Sequence, residues 1–335
     1  MRALVCHAFG DYHTAVKVEN VPSPPLPARG VRIAVDYAAV SFAMSLWIAG
    51  KYQRIPPLPF TPGTEVTGTV IETAPGVTAF KTGDKVLALL DWGAYAEEVC
   101  ATEPTVYHLP EGIDPGSALH FGISYGTAYG GLAWRANLKP GETLLVLGAS
   151  GAVGLAAVEL GKAMGARVIA AAGGAAKGAL AKVHGAEDAI DYTAENLRDR
   201  VRALTDGRGV DCVFDPVGGD HFDAALRSLA PEGRLVVIGF ASGRIPQIAA
   251  NLLLVKNISV LGFNFGTYVG WSPGDGREQH EPRVRAAYAQ IFKWYAEGRL
   301  APVLAETFPL ERYVDAQDAV MSRRALGKVA LKLRR

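Results

Sequence analysis

The chain has 335 residues, enough for two domains of ordinary size, and its 49% hydrophobic and 20% charged residues are typical of a globular protein with a substantial core. The formal charge is only +1 and no run of like charge occurs, so we expect neither a nucleic-acid partner nor a membrane-surface partner. No uncharged apolar window reaches about 18 residues and the chain opens on a strand-like run, Ala3 to Cys6, which predicts no membrane span, no signal peptide and a cytoplasmic location.

The first third of the chain, up to residue 121, is predicted to be β-rich. Short alternating or apolar runs are separated there by Pro, Gly and Asp. The runs are Val31–Ala39, Val66–Thr73, Lys85–Leu90 and Tyr95–Ala101. The proline-rich segment Val21–Pro27 cannot be helical, and we expect an ordered surface connection there, with a disordered linker as the alternative.

From Gly122 onward, apolar runs alternate with helix-patterned segments. The expected strands are Thr143–Leu147, Arg167–Ala172, Ala189–Asp191, Val210–Asp215, Arg234–Gly239 and Ile258–Phe263. The expected helices are Gly154–Met164, Ala175–His184, Ala194–Leu204, Asp220–Leu229 and Pro246–Leu254. Near-continuously apolar strands joined by helical crossovers predict a doubly wound parallel sheet, covered on both faces, over residues 122–264.

The tail after Phe263 begins with a polar segment, Gly270–Arg283, which we expect to be a loop. An amphipathic helix, Val284–Glu297, and two strand-like pieces, Ala305–Phe308 and Lys328–Leu333, are expected to follow. This tail is too short for a core of its own. We therefore expect residues 1–121 and 265–335 to form one β-rich domain.

A glycine-rich segment, residues 148–154, lies between the expected strand Thr143–Leu147 and the helix that follows. Its sequence is Gly-Ala-Ser-Gly-Ala-Val-Gly. A strand that turns through glycines into a helix presents backbone N–H groups at the positive end of the helix dipole, where a pyrophosphate can bind. The complete strand–helix–strand context favours a dinucleotide site, and an ordinary tight turn is the alternative.

Further motifs occur along the chain in a characteristic order and spacing. They are Pro59–Gly68, Tyr125–Tyr129, Asp191–Tyr192, Asp215–Gly219 and Gly327–Val329. With the glycine-rich segment, they resemble the medium-chain dehydrogenase/reductase superfamily and, within it, the zinc-free quinone oxidoreductase branch. The resemblance implies an α/β protein with a Rossmann domain and a β-rich, GroES-like catalytic domain. It also implies a homodimer in which the sixth Rossmann strand, Ile258–Phe263, pairs across a two-fold axis.

No metal is expected. Zinc-dependent relatives carry Gly-His-Glu where this chain has Gly63-Thr64-Glu65, and a ligand cysteine close to Ser41. Neither a thiolate nor an imidazole is available at these positions, and catalytic zinc needs three protein ligands. The three cysteines are scattered and the seven histidines show no HxxxH spacing, so we interpret them as structural or solvated residues.

The residues after the second Rossmann strand favour NADPH as cofactor. An NAD site places a carboxylate about twenty residues beyond the glycine loop, but this chain has Gly173, Gly174 and then Lys177. A lysine there reaches a 2′-phosphate. The resemblance adds Gly173 and Tyr192 to this site. NADH, with Lys177 as a solvated residue and Tyr192 as a packed strand end, is the alternative.

The resemblance also assigns the remaining cofactor contacts. They are Thr127 at the nicotinamide ribose, Ser150, Gly151, Ala152 and Val153 at the pyrophosphate, Phe240 and Ser242 near the nicotinamide, and Phe263, Phe265 and Arg323 beyond it. Ordinary core packing is the alternative for Phe240 and Phe263. A surface charge is the alternative for Arg323.

Without a metal or a Tyr-x-x-x-Lys motif, the chemistry suits an acceptor that is already electrophilic. We expect hydride transfer to a quinone or an α,β-unsaturated carbonyl compound. Relatives carry Asn-Phe-x-Asp and then Gly-x-Tyr, whereas this chain has Ser41-Phe42-Ala43-Met44 and then Tyr52. Tyr52 and Ser41 are the catalytic candidates, Tyr52 as donor of a hydrogen bond or proton. A structural role is the alternative for Tyr52.

Two other functions stay open. An enoyl-thioester reductase would need a basic groove for a phosphopantetheine, for which Lys51 and Arg54 are available. A non-catalytic NADPH-binding protein would explain the missing Asn and Asp at Ser41 and Met44.

Overall fold

The computed structural model describes residues 1–271 and 274–334. The strands are β1 Arg2–Cys6, β2 Val16–Asn20, β3 Gly30–Val40, β4 Glu65–Thr73, β5 Lys85–Leu89, β6 Glu98–Thr102, β7 Val106–His108, β8 Thr143–Leu147, β9 Arg167–Ala172, β10 Asp188–Asp191, β11 Val210–Asp215, β12 Leu229–Val237, β13 Ser259–Gly262, β14 Leu304–Pro309 and β15 Lys328–Lys332. The helices are α1 Phe42–Ile48, α2 Pro115–Ala118, α3 Ile123–Tyr129, α4 Ala152–Ala163, α5 Ala175–Val183, α6 Leu197–Leu204, α7 Gly219–Arg227, α8 Ala250–Lys256, α9 Gly266–Val269, α10 Arg277–Ala296 and α11 Tyr313–Met321. In the described ranges, no helix is both long and apolar enough to cross a membrane.

The chain divides into two compact units. Unit 1 comprises Met1–Ile123, Gly266–Phe292 and Pro302–Arg335, and unit 2 comprises Ser124–Phe265 and Lys293–Ala301. Because the chain leaves unit 1 near Ile123 and returns to it at Gly266, unit 1 is built from distant parts of the sequence.

Unit 1 is built around a sheet with the order β14-β15-β3-β4-β5-β7, in which β3 also pairs with β6. The long strand β3 is its centre, antiparallel to β4, β6 and β15. Apolar side chains of β3 and β4 pack with those of α1, including Met44, Trp47 and Ile48, in one buried cluster. The α1 helix is thereby fixed on the sheet through its apolar face.

Unit 2 contains the parallel sheet that the alternating pattern predicted, with the order β10-β9-β8-β11-β12-β13. The prediction of a doubly wound parallel sheet is confirmed. The chain order reverses between β8 and β11, and ligands of such sheets bind at this reversal, outside the carboxyl ends of the strands. The glycine-rich segment follows β8 and therefore lies at this point.

Several expected boundaries were wrong, among them the start of β12, which begins at Leu229 and not at Arg234. The polar segment Gly270–Arg283 is not a loop throughout, because α10 begins at Arg277 and contains Pro282; Ser272 and Pro273 lie outside the described residues. Glutamate and glutamine, good helix formers, outweigh the one hydrogen bond that the proline removes. The helix expected from Pro246 begins only at Ala250. Ala249 is the N-cap and has an extended backbone, and the β-branched Ile248 disfavours an earlier start.

Candidate functional site

The glycine-rich segment forms a tight turn between β8 and α4. Gly148 has a φ of +58°, which favours glycine, and its carbonyl accepts from the Gly151 N–H at 3.0 Å. Gly151 is extended and starts α4, so Ser150, Gly151, Ala152 and Val153 lie together on the turn and the first helical turn. The N-cap residue Gly151 has no side chain that could cap α4, and no acidic residue lies in the first turn of this fully described helix. The helix N-terminus is therefore electrostatically suited to an anion.

The space around a Cβ differs between two glycine positions of this turn, Gly154 and Gly151. A Cβ on Gly154 would lie 2.1 Å from the Gly148 carbonyl oxygen, so any side chain there would push α4 away from the turn. A Cβ on Gly151 would meet only that same oxygen, at an ordinary 3.5 Å. Nothing in the described fold requires a bare backbone at Gly151. An approaching pyrophosphate does require one.

The residues expected at the far end of the cofactor meet at the ends of β9 and β10. A Cβ on Gly173 would lie 3.3 Å from Cε2 of Tyr192, so the tyrosine ring lies against the bare glycine backbone. Lys177 is in the first turn of α5, which starts after Gly174. His221, on α7, packs its ring on Tyr192 with the ring centres 4.0 Å apart. His221 was not among the residues predicted for this site.

A carboxylate lies at this same end and is held by the loop. Oδ1 of Asp191 accepts from the Gly174 N–H at 2.9 Å and from the N–H and hydroxyl of Thr193 at 3.0 and 2.5 Å. The bonds from Thr193 and Gly174 hold the pKa of Asp191 below its usual range. Asp191 thus shapes the turn that starts α5, a role that its place in the Asp-Tyr dipeptide did not reveal.

The Asp215–Gly219 segment forms the wall opposite the glycine turn. Oδ1 of the buried Asp215 accepts from the N–H groups of Val217 and Gly218 at 2.7 and 2.9 Å, yet burial raises the pKa of this carboxyl. A Cβ on Gly148 would meet Cγ2 of Val217 at 2.9 Å, so the two turns are in contact.

Phe240 and Ser242 are held on this wall by main-chain bonds. The Ser242 N–H donates to the Val217 carbonyl at 2.9 Å. Cδ1 of Phe240 lies 3.1 Å from the Cβ position of Gly218, and Oγ of Ser242 lies 2.8 Å from that of Gly219. Both side chains therefore lie at the carboxyl end of β11 and β12.

Phe263, Phe265 and Thr127 are buried. Phe263 makes an edge-to-face contact with Trp134, with ring centres 6.3 Å apart, and fills the space that Gly130 leaves free. This packing favours the structural interpretation of Phe263. Thr127 lies on α3, between Tyr125 and the residues that contact Phe263.

In unit 1, the two catalytic candidates flank α1. Ser41 immediately precedes the helix, and its carbonyl accepts from Nε2 of Gln317 at 3.2 Å. The Tyr52 ring lies 5.5 Å from the Trp47 ring, centre to centre, and burial raises the pKa of Tyr52. Sδ of Met44 accepts from the Gly63 N–H at 3.3 Å. Arg323 is exposed just after α11 with a φ of +56°.

Comparison with known proteins fits both units. Residues 27–111 match the family described as alcohol dehydrogenase GroES-like domain, and residues 152–278 match the zinc-binding dehydrogenase family. The quinone oxidoreductase-like protein 2 of Bos taurus is 39% identical over 99% of this chain and 93% of its own length. The chain belongs to the quinone oxidoreductase family of medium-chain dehydrogenases/reductases. The predicted combination of a Rossmann sheet with a GroES-like domain is confirmed.

Two solved structures of similar proteins bear on which cofactor this member of the quinone oxidoreductase family binds. The Thermus thermophilus quinone oxidoreductase, solved also with NADPH, is 31% identical with a TM-score of 0.80 and covers 99% of this chain and 100% of its own. An NAD-dependent alcohol dehydrogenase is 27% identical with a TM-score of 0.85 and covers 100% of both chains. Fold similarity therefore does not decide between NADPH and NAD, and the choice depends on the residues that follow β9.

At the position where zinc-dependent relatives have a histidine, this chain has Thr64, and the next residue, Glu65, forms a buried ion pair. Thr64 is buried, and the neighbouring Glu65 pairs with Nζ of Lys328 while accepting from the Ile123 N–H at 2.6 Å. Across residues 1–271 and 274–334, no cluster of three or more His, Cys, Asp or Glu side chains could hold a metal ion. The Glu65–Lys328 pair joins residues far apart in sequence and was therefore not predicted.

Arg54, which was considered for a phosphopantetheine, is held by its own unit. Its guanidinium donates to the Gly270 carbonyl, lies 3.4 Å from Oδ2 of Asp91 and packs over the Trp92 ring at 5.3 Å. Arg277 binds the other oxygen of Asp91 at 2.6 Å. These contacts give Arg54 a structural role in bracing the loop after Tyr52.

Proposed function

We propose that this protein is an NADPH-dependent, zinc-independent reductase that transfers hydride to a quinone or to an α,β-unsaturated carbonyl compound. The observation that carries the proposal is the pair of bare backbone positions in unit 2, Gly151 beside the α4 N-terminus and Gly173 against Tyr192. Gly151 follows β8 at the reversal point of the parallel sheet, and Gly173 follows the neighbouring strand β9. The NADPH complex of the Thermus thermophilus relative supports the same assignment.

The choice of NADPH over NADH rests on Lys177, Tyr192 and Asp191. NAD sites use a carboxylate to accept from the ribose 2′-hydroxyl. Here the carboxylate at this end, Asp191, is engaged by Gly174 and Thr193, while Lys177 supplies a cation in the first turn of α5. A cation favours a 2′-phosphate. Tyr192, whose ring packs against the Gly173 backbone, lies at the same end.

NADPH, when bound, supplies the hydride. The protein has to orient the acceptor and provide a proton, because hydride addition to a conjugated C=C or a quinone leaves negative charge on the carbonyl oxygen. The Tyr52 phenol, whose pKa is raised by burial, is neutral at physiological pH and can donate to that oxygen. The Ser41 hydroxyl offers a second donor. Buried Met44 and Trp47 make the surroundings of α1 apolar and exclude water.

A panel of acceptors tests the proposal. NADPH consumption, followed by its near-ultraviolet absorbance, is expected with quinones, enones or enals. Turnover of enoyl-thioesters alone would instead identify an enoyl-thioester reductase, an outcome that the engagement of Arg54 disfavours. Tight NADPH binding without turnover of any acceptor would contradict the enzymatic proposal and favour a non-catalytic NADPH-binding protein.

We also propose a homodimer through the β13 edge. β13 ends the described sheet of unit 2, and four large apolar side chains nearby are exposed. They are Ile245, Ile248, Leu254 and Val255. An unpaired strand edge beside exposed apolar residues is typical of a two-fold interface. Sedimentation should give twice the 35.4 kDa chain mass, and a Leu254→Lys/Val255→Lys variant should sediment as a monomer; a monomeric wild type would contradict the proposal.

A further inference from the structure

Unit 2 contains a buried carboxylate that the proposed chemistry does not use. Glu159, in the middle of α4, is 3% exposed and receives hydrogen bonds from three other parts of the unit. Oε2 accepts from the Tyr125 hydroxyl and from the Ala301 N–H at 3.0 Å, and Oε1 pairs with Nδ1 of His184. Burying a carboxylate is costly unless such donors compensate it, so this cluster holds its members in one arrangement.

Two of the three partners of Glu159, Tyr125 and His184, belong to elements that carry a proposed cofactor residue. Tyr125 is on α3, two residues before Thr127, and His184 ends α5, whose first turn carries Lys177. Glu159 itself is on α4, whose first turn follows Gly151. One side chain therefore ties together the three helices that carry Thr127, Lys177 and the glycine turn.

The contact with Tyr125 fixes the rotation of α3. Successive residues of an α-helix are about 100° apart, so Tyr125 and Thr127 point in nearly opposite directions. When the Tyr125 hydroxyl is bound to Glu159, Thr127 is turned away from α4. Beyond Thr127, Gly130 fits closely against Phe263, which holds the other end of this segment.

We infer that Glu159 and Tyr125 are positioning residues that set the orientation of α3 and so hold Thr127 toward the nicotinamide half of the cofactor. The inference rests on the proposed NADPH site. It predicts that breaking the Tyr125–Glu159 bond weakens contacts at the nicotinamide half and leaves the adenosine half, at Gly173 and Lys177, unchanged.

The affinities for two probe molecules distinguish an effect on the nicotinamide half of the site from an effect on the adenosine half. NADPH occupies the whole site, whereas adenosine 2′,5′-bisphosphate occupies only the adenosine end. Calorimetric titration of Tyr125→Phe is expected to show NADPH affinity reduced about fivefold, the factor that corresponds to one ordinary hydrogen bond, with unchanged bisphosphate affinity. Glu159→Leu, which also removes the bond to His184 at the end of α5, is expected to lower the affinity for NADPH at least about fivefold. Glu159→Gln, whose amide oxygen can still accept from Tyr125, should retain most of the NADPH affinity.

The control is Ser228→Ala, which removes another buried hydroxyl of unit 2, one that donates to the Ala224 carbonyl at 2.7 Å. It should bind both probes as the wild type does. Equal loss of both probes in Tyr125→Phe would mean general destabilisation and would overturn the inference, as would unchanged NADPH affinity. If Glu159→Leu does not fold, Tyr125→Phe and Glu159→Gln decide. A wild type that binds neither probe would instead contradict the proposed NADPH site, and the inference would fall with it.

Discussion

Gly148 and Gly154 approach each other so closely that a Cβ on Gly154 would lie 2.1 Å from the Gly148 carbonyl oxygen. Gly151, between them, has no such conflict, since its Cβ would meet that oxygen at 3.5 Å. One glycine of the turn is thus required by packing, and the other leaves backbone accessible to a ligand. This difference allows folding and binding to be tested separately.

Alanine substitutions should separate the two roles. Gly154→Ala is expected to lower the free energy of unfolding by about 1–3 kcal/mol, because the turn and α4 must move apart. Gly151→Ala, at a backbone conformation that alanine adopts readily, should keep the free energy of unfolding within about 1 kcal/mol of the wild-type value, because the lower entropy of its unfolded chain offsets the poorer N-cap. Its methyl group should lower NADPH affinity about 10-fold or more by displacing the pyrophosphate from backbone N–H groups. Urea unfolding and calorimetric titration measure the two effects; a Gly151→Ala protein that binds NADPH normally would contradict the pyrophosphate assignment.

Lys177 should determine cofactor preference. Lys177→Ala is expected to weaken NADPH binding about 10- to 100-fold, the range for one hydrogen bond to a charged group, while NADH binding stays the same. The matched control is Lys182→Ala, which removes an exposed lysine from the last turn of the same helix. If Lys177→Ala leaves the ratio of NADPH to NADH affinity unchanged, Lys177 does not contact the 2′-phosphate.

Tyr52 should affect turnover more than cofactor binding. Tyr52→Phe keeps the ring beside Trp47 and removes the donor, so kcat is expected to fall about 100-fold with an unchanged Kd for NADPH. Because burial raises the pKa of Tyr52, the phenol stays protonated below pH 10 and should add no ionisation to the pH profile of kcat between pH 6 and about 9. An equal kcat in Tyr52→Phe would assign Tyr52 to packing alone.

Features that depend on neighbouring residues could be predicted from the sequence, and contacts between residues far apart in the chain could not. The strands of unit 2 and the glycine turn follow from local apolar patterns, and the structure contains both. The bonds between Glu65 and Lys328 and between Glu159 and His184 join distant positions, which only the packed sheets and helices bring together. The late start of α8, after the extended Ala249, was not predicted, because Pro246 is compatible with the first turn of a helix. Residue roles at Tyr52 and Ser41 stay predictions for the same reason, since they depend on what a substrate contacts.

The free energy of unfolding should fall steeply as the pH rises above about 10. Burial raises the pKa of Tyr95, Tyr125, Tyr288 and Tyr313 well above the usual value near 10. Above pH 10 the unfolded chain loses these protons while the folded chain keeps them, so each tyrosine should lower the free energy of unfolding by about 1.4 kcal/mol per pH unit. Below pH 10 these groups should have no effect.

Urea midpoints measured between pH 8 and about 11.5 test this slope. Tyr288→Phe, which loses one hydroxyl bonded to the Gly122 carbonyl at 2.9 Å, should be less stable at pH 8 but show a shallower decline above pH 10. A wild-type midpoint that stays constant up to pH 11 would mean that these phenols ionise as freely in the folded protein as in the unfolded chain.

The most direct test of the proposed activity follows the transferred hydrogen itself. NADPH carrying deuterium at both C4 positions is incubated with the protein and an enone, and the product is analysed by mass spectrometry and NMR. The account predicts one deuterium on the β-carbon of the saturated ketone, and a much slower reaction when deuterated NADH replaces NADPH. A saturated product without deuterium, or no product from any enone or quinone although NADPH binds, would contradict it.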